Sequence, residues 1–186
     1  MTSSLIIICG LPCTGKTTLG KKLAQDLSLP FISRDSIKES LFDSLGWLDR
    51  QWSKKLGVAS YNLLYYFIDS LVSKNISMIV ESNFQAAYDT EKYRDIQNKY
   101  ALKLIQIHCY TRGEVLIERF KQRSESGERH PGHVDHLNYE EFKTVLSKGE
   151  YEILGVESTN FKIDTTDFDR IDYKFLIDTL KSIFEH

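Results

Sequence analysis

The sequence predicts one α/β domain built on a parallel, doubly wound sheet, and three observations carry that prediction. Short apolar runs alternate with stretches of helical periodicity along the whole chain. The first run, Leu5-Ile6-Ile7-Ile8-Cys9, is apolar at every position, as a central strand covered on both faces should be. Several runs end in polar clusters, where open α/β sheets place their ligands. A chain of 186 residues can bury a sizeable core without disulfides or metal, and its 41% hydrophobic and 27% charged residues are an ordinary globular balance.

Taken in order, Leu5 to Cys9 is strand one, and a helix over Thr18 to Leu27 follows, burying Leu19, Leu23 and Leu27 at intervals of four. Phe31-Ile32 is a second short strand after the turn at Leu29-Pro30. It ends in Ser33-Arg34-Asp35-Ser36, and Ile37, Leu41 and Phe42 read as the next helix, for which Asp35 is a candidate N-cap. Asp43 to Arg50 is irregular. A long helix from about Gln51 to Lys74 carries Leu56, Ala59, Leu63, Phe67 and Leu71 as its core stripe. Strand three, Ser77 to Val80, ends in Glu81-Ser82-Asn83-Phe84. A helix over Tyr88 to Asn98, a strand over Leu102 to Tyr110 and a helix over Gly113 to Gln122 come next. Residues 123–138 are polar and rich in turn formers, and read as a lid over the site. Tyr139 to Leu146 is a short helix, Phe161 to Asp164 a fifth strand, and Ile171 to Phe184 a closing helix that buries Ile171, Phe175, Leu180 and Phe184. With no linker, repeat or low-complexity tract, residues 1–186 read as a single domain.

Between the first strand and its helix lies Gly10-Leu11-Pro12-Cys13-Thr14-Gly15-Lys16-Thr17-Thr18, which fits the pattern G-x-x-x-x-G-K-S/T in the strand-to-helix setting that the pattern requires. Successive backbone N–H groups must curl inward around a polyphosphate, and glycines at both ends permit torsions that a Cβ forbids. The helix then adds its unpaired N-terminal donors and positive dipole end. Lys16 is placed to neutralise the β and γ phosphates, and the Thr17 hydroxyl to ligate the magnesium that bridges them. The expected cofactors are therefore ATP, with GTP possible, and Mg2+. The absence of an Asn/Thr-Lys-x-Asp strand end disfavours a GTPase.

The charges nearly cancel, 24 basic against 26 acidic, which argues against a protein that holds long nucleic acid by its phosphates. Three cysteines, Cys9, Cys13 and Cys109, suggest no disulfide framework and a reducing cytoplasm. The opening Met1-Thr2-Ser3-Ser4 lacks a positive segment, and the run after it is too short for a signal core or a membrane span. A soluble, cytoplasmic protein without a membrane partner is expected. The sequence does not report an oligomeric state.

The phosphate loop, the aspartate of Ser33-Arg34-Asp35 after strand two, and Arg119-x-x-x-Arg123 before a glycine-containing lid together resemble the P-loop kinases grouped with chloramphenicol phosphotransferase, gluconate kinase, zeta toxins and the 5′-hydroxyl polynucleotide kinases. The resemblance follows motif order over most of the chain. It implies a three-layer αβα P-loop NTPase fold with a five-stranded parallel sheet in the order 2-3-1-4-5. It also implies transfer of a γ-phosphate to a hydroxyl, with Asp35 as general base, Arg119 and Arg123 as lid arginines, Lys16 on the phosphates and Thr17 on the magnesium. The end of strand five, Phe161 to Thr165, would hold the base of the nucleotide. Lys38 stands where polynucleotide kinases place an arginine three residues after the base; an ammonium cannot fork around a phosphate, which weighs against a nucleic-acid end as acceptor. Cys13 departs from the glycine or alanine of many relatives, and its place beside Lys16 and a helix N-terminus favours the thiolate.

The remaining candidates surround these. Arg119 and Arg123, four apart on one helical face, can reach a transferring phosphoryl group, with Arg129 of the lid joining them. Glu81 can hold a magnesium-bound water or the acceptor, and Asn83 and Phe84 can orient or cover it. His130, His133 and His136 recur every three residues; without a cysteine or carboxylate at fixed spacing they read as lid or substrate contacts rather than a zinc site. Trp47 and Trp52 are either a stacking surface or core. The expected function is an ATP-dependent kinase acting on a hydroxyl of a small metabolite or antibiotic-like compound. The alternatives are a 5′-hydroxyl nucleic-acid or nucleotide kinase, for which a basic groove leading to Asp35 would be the sign, and a non-catalytic nucleotide-dependent switch.

Overall fold

A computed structural model describes residues 3–127, 129–134, 139–147 and 150–185. Five strands form one parallel sheet: β1 (Ser4–Cys9), β2 (Phe31–Ser33), β3 (Met78–Glu81), β4 (Lys103–Tyr110) and β5 (Thr159–Asp164). Their order is β2-β3-β1-β4-β5, the P-loop NTPase architecture with its 2-3-1-4-5 sheet. The helices are α1 (Lys16–Leu27), α2 (Arg34–Leu45), α3 (Arg50–Val72), α4 (Ala86–Tyr100), α5 (Gly113–Glu125), α6 (Tyr139–Leu146) and α7 (Tyr173–Glu185).

The all-apolar β1 sits at the centre because both its faces are covered. Leu5, Ile7 and Cys9 pack with Leu64 and Ile68 of α3 and Tyr93 of α4, whereas Ile6 and Ile8 pack with Leu19 and Leu23 of α1 and Leu176 and Leu180 of α7. Register then gathers the site: Ile8 pairs with Glu81, and Ser33 with Glu81, so three strands end together at one edge.

Three helices depart from expectation. The buried stripe of α3 is Leu56, Ser60, Leu64, Ile68 and Val72, not Ala59, Leu63 and Phe67, and Phe67 is 39% exposed. Serines at 53 and 60 lie on the buried face, so a search for large apolar residues slides to their neighbours; Ser60 satisfies its hydroxyl on the Gly57 carbonyl at 2.7 Å. In α7 the buried residues are Leu176, Ile177 and Leu180, whereas Phe175 is exposed and Ile171 precedes the helix. The second helix begins at Arg34, so Asp35 lies inside its first turn and is not its cap. Ser33 is the N-cap, and its hydroxyl is engaged by Glu81 instead.

Residues 150–158, before β5, run without regular structure and are held by the buried Gln106. Its amide donates to the Leu154 carbonyl at 3.0 Å and to Ser158 Oγ at 2.8 Å, and its oxygen accepts from the Leu154 N–H at 2.9 Å. Among the described residues no helix is long and apolar enough to cross a membrane.

Candidate active site

The turn between β1 and α1 needs its glycines. Gly10 has φ +146°, and a Cβ there would lie 2.2 Å from the Cys109 carbonyl oxygen. Gly15 has φ +74° and carries the ring of Phe168 where a side chain would project. Inside the turn the Leu11 carbonyl accepts from the Thr14 hydroxyl at 2.9 Å and from Lys16 Nζ at 2.8 Å. Lys16 is only 5% exposed, and its ammonium stands 3.9 Å from Glu81 Oε1.

Glu81 ties the loop to the sheet. Its Oε2 accepts from Thr17 Oγ1 at 3.0 Å and from Ser33 Oγ at 2.8 Å. A carboxylate and a hydroxyl are hard oxygen donors, and Mg2+ takes one or two such protein oxygens and fills its remaining positions with water and phosphate. Thr17 and Glu81 therefore suit that ion. Pro12, Cys13 and Thr18 line the same opening, while Cys13 also packs against the cluster of Leu11, Leu116 and Phe120.

From this loop a cleft of about 1000 Å³ runs to the first turns of α2 and α3. Asp35 lies in it, clasped from both sides: Arg34 Nη2 donates to Oδ1 at 2.6 Å and Arg129 Nη2 to Oδ2 at 3.0 Å. Burial works to raise the Asp35 pKa, but Arg34 and Arg129 outweigh it and hold the carboxyl well below the usual carboxylate range. Lys38 Nζ is buried against Ser53 Oγ at 2.9 Å. Desolvation, then the nearby Arg34 guanidinium, push its pKa down from 10.5 to about 8.

Residues 129–134 lie over α2. Arg129 Nη2 is also 3.1 Å from His133 Nδ1; since a guanidinium can only donate, Nδ1 accepts, and the ring proton is on Nε2, which donates to Glu39 Oε1 at 2.9 Å. Burial lowers the pKa of His133 against the opposing pull of Glu39. His130 Nδ1 accepts from the Gly132 N–H, its Nε2 faces Asp43 at 3.2 Å, and its ring stacks on Phe42. Both histidines are thus engaged by carboxylates, and among the described residues no group of three His, Cys, Asp or Glu is placed to hold a metal. His136, residues 135, 137 and 138 of the expected lid, and Glu128 lie outside the described residues; residues 123–125 belong to α5.

The other expected residues are placed as follows. Arg119 forks onto backbone, with Nη1 donating to the Thr165 carbonyl at 3.0 Å and Nη2 to that of Thr166 at 2.9 Å. Its guanidinium lies 6.0 Å from the Phe168 ring centre. Thr165 is fully buried, its hydroxyl shared with Thr111 and the Tyr110 carbonyl and its own carbonyl taken by Arg119, so it is linked to the cleft only through that arginine. Arg123 lines the cleft beside Phe120, and Asn83 lines it with its carbonyl near the Tyr61 hydroxyl. Phe84 is core. Trp47 is 47% exposed, edge-on to His130, and Trp52 donates its indole N–H to the Gly46 carbonyl; neither enters the central core.

Sequence reasoning passed over Arg34, Glu39, Arg50, Ser53, Tyr61 and Phe168. Arg34 and Lys38 are four apart on α2, and Arg50, Ser53, Gly57 and Tyr61 recur at helical spacing on the cleft face of α3. That polar stripe was the available signal, continuing N-terminally the face that Leu64 and Ile68 bury.

A family profile described as an AAA domain matches residues 5–148. A candidate kinase from Chloroflexus aurantiacus J-10-fl aligns with a TM-score of 0.88 and 36% identity over 98% of each chain. A sugar kinase from Janibacter sp. HTCC2649 aligns over 100% of this chain and 95% of its own with a TM-score of 0.58, and at 16% identity shares the fold alone. The shikimate kinase of Chlamydia muridarum is 49% identical over 41 residues, 22% of this chain and 22% of that kinase, so the match spans about a fifth of the curated relative.

Proposed function

This chain belongs to the AAA domain family, and from that premise we propose that it is an ATP-dependent kinase that transfers the γ-phosphoryl group to a hydroxyl of a small molecule. The observation that carries the proposal is the single cleft that joins Lys16, Thr17 and Glu81 to Asp35. A loop that only bound nucleotide would have no use for a carboxylate framed by two arginines at the far end.

In this reading the amides of residues 10–17 and Lys16 bind the β and γ phosphates. Magnesium, held by Thr17 with Glu81 behind it, would neutralise the charge that spreads over the phosphoryl oxygens. Asp35 accepts a hydrogen bond from the acceptor hydroxyl and aims its oxygen at phosphorus. As the new O–P bond forms and the bond to the bridging oxygen of ADP breaks, the hydroxyl becomes acidic and its proton passes to Asp35. A strongly depressed carboxylate is a poor base early in the reaction and an adequate one late, which suits a loose transition state. Arg123 and Arg129, from α5 and the segment after it, supply further positive charge. Arg119, with the Thr165 and Thr166 carbonyls, frames the place proposed for the base of the nucleotide, adenine or guanine. Three cysteines, none of them in a disulfide, fit the cytoplasmic setting proposed here.

The basic residues around Asp35 also favour a second reading, in which the acceptor is a 5′-hydroxyl of a nucleotide or nucleic-acid end. A screen of [γ-32P]ATP transfer against hydroxylated metabolites, antibiotics, nucleosides and oligonucleotide ends, with Lys16→Met as blank, tests both. Label in a small acceptor supports the first reading, label only in oligonucleotide ends the second, and release of inorganic phosphate alone defeats both.

A further inference from the structure

We infer that Glu39 and His133 are positioning residues for phosphoryl transfer: Glu39 fixes the ring proton of His133 on Nε2, and the bare Nδ1 then holds Arg129 against Asp35. The inference rests on the kinase reading above and concerns how its base is kept in place.

Four side chains close a ring. Asp35 and Glu39 lie one turn apart on α2, and Arg129 and His133 reach them from the segment above it. Arg129 Nη2 stands 3.0 Å from Asp35 Oδ2 and 3.1 Å from His133 Nδ1, and His133 Nε2 stands 2.9 Å from Glu39 Oε1. A guanidinium Nη carries two hydrogens, so these two contacts use both of those on Nη2 and set the plane of the group. Arginine is a long side chain with many rotamers, and something must fix the one that meets Asp35. His133 is suited to that task. It is 4% exposed and stands edge-on to Phe42 with ring centres 5.4 Å apart. The segment can seat this closely because Gly132 has no side chain; a Cβ there would lie 2.6 Å from the Phe42 ring.

The consequence for chemistry lies in the carboxylate. With Arg34 on Oδ1 and Arg129 on Oδ2, its plane is fixed and each oxygen keeps a second lone pair for an acceptor hydroxyl. Without Arg129 the carboxylate can turn, and a misplacement on the order of 1 Å can cost about 100-fold in rate. The ring also has a protonation requirement. A proton on Nδ1 would set an imidazolium N–H against a guanidinium N–H, and Arg129 would leave Oδ2. Around His133, Glu39 and Asp35 of α2 favour the charged ring, whereas Lys38 of α2 and Arg129 oppose it. The helix α3 also packs against residues 131–133 and brings Arg50 and Lys54 to the same cleft, and α5 brings Arg123. Burial is the largest influence and it too disfavours the cation, so the imidazole is neutral at pH 7. The Asp35 carboxyl titrates far lower, so a loss of turnover just below pH 6.5 belongs to His133 and not to the base.

The test measures kcat of the full chain with saturating magnesium and [γ-32P]ATP, across pH, on an acceptor found by the transfer screen. Turnover should fall as pH drops through the His133 midpoint below 6.5. His133→Phe keeps a ring without an acceptor and should lower kcat about 10- to 100-fold at neutral pH, the range for one hydrogen bond to a charged group, with KM for ATP held within about 2-fold. His133→Asn puts an amide oxygen near the place of Nδ1, and should recover most of that loss and abolish the acid limb. Glu39→Gln still accepts from Nε2 but lacks the charge that supports the imidazolium, so the limb should move to lower pH. Because His133 acts through Arg129, His133→Phe should cost no further turnover in an Arg129→Ala background. Equal losses with and without Arg129, an acid limb that survives in His133→Asn, or an upward shift in Glu39→Gln overturns the inference. Should His133→Phe fail to fold, His133→Asn and Glu39→Gln decide it by their pH profiles. The ring is also read without turnover: by NMR the His133 midpoint should rise in Arg129→Ala and fall in Glu39→Gln, and indifference to both variants likewise overturns the inference. Failure of the kinase reading would show separately, as those midpoint shifts with no label moved to any acceptor.

Discussion

Replacing Lys38 by methionine should make this protein more stable. Lys38 is buried and charged at neutral pH, and its pKa falls from 10.5 to about 8 on folding. That difference corresponds to ~3 kcal/mol by which the folded state disfavours the ammonium. Methionine keeps the length of the stem and removes the charge, at the loss of the bond to Ser53, worth about 1 kcal/mol. The net gain at pH 7 is about 1–2 kcal/mol, or roughly 2–8 °C in the thermal midpoint of a chain of this size. Because the folded pKa lies below the unfolded one, the folded protein holds fewer protons between pH 8 and 10.5, and wild-type stability rises through that window. The advantage of the variant should therefore shrink with pH and vanish near the top of it. Urea unfolding of both proteins at pH 7 and pH 10 reads this directly. A variant less stable at pH 7, or a gain indifferent to pH, would refute the placement of a desolvated ammonium in this cleft.

Three further outcomes follow from named contacts. Gly15→Ala puts a Cβ at a positive φ and against Phe168; it should lower stability by about 1–2 kcal/mol and weaken nucleotide binding, measured by unfolding and by fluorescent-nucleotide titration. The imidazole of His133 should titrate below 6.5 by NMR, and because its folded pKa is the lower one, stability should fall as pH drops from 6.5 towards that midpoint and not above it; a midpoint above 6.5 would contradict the neutral Nε2–H tautomer. Gln106→Leu leaves the Leu154 N–H and carbonyl without their partner and should cost at least about 2 kcal/mol by urea denaturation, with nucleotide affinity retained.

What the sequence made legible was set by local rules. The apolar β1, the glycines of the turn after it and the lysine that closes it each depend on neighbours in the chain, so fold class, sheet and phosphate loop could be read directly. Where burial depends on tertiary partners, the reading slipped. The face of α3 was displaced because Ser53 and Ser60 are buried for their small size, and no periodicity of large apolar residues marks them. Asp35 could be located but its clasp could not, since Arg129 reaches it across 94 residues. Arg119 and Thr165 were both singled out; that they meet through a guanidinium on a carbonyl, with the threonine side chain turned inward, is a matter of backbone geometry that composition does not encode.

The central claim is that one cleft holds a triphosphate on residues 10–17 with Asp35 facing its end. A crystal structure of the protein with magnesium, a non-hydrolysable ATP analogue and an acceptor found by the transfer screen tests it most directly. The account predicts Lys16 Nζ on the terminal phosphate, Thr17 on the metal, and the acceptor hydroxyl between that phosphate and Asp35. A nucleotide bound away from the loop, or an acceptor whose hydroxyl lies elsewhere than at Asp35, would contradict it.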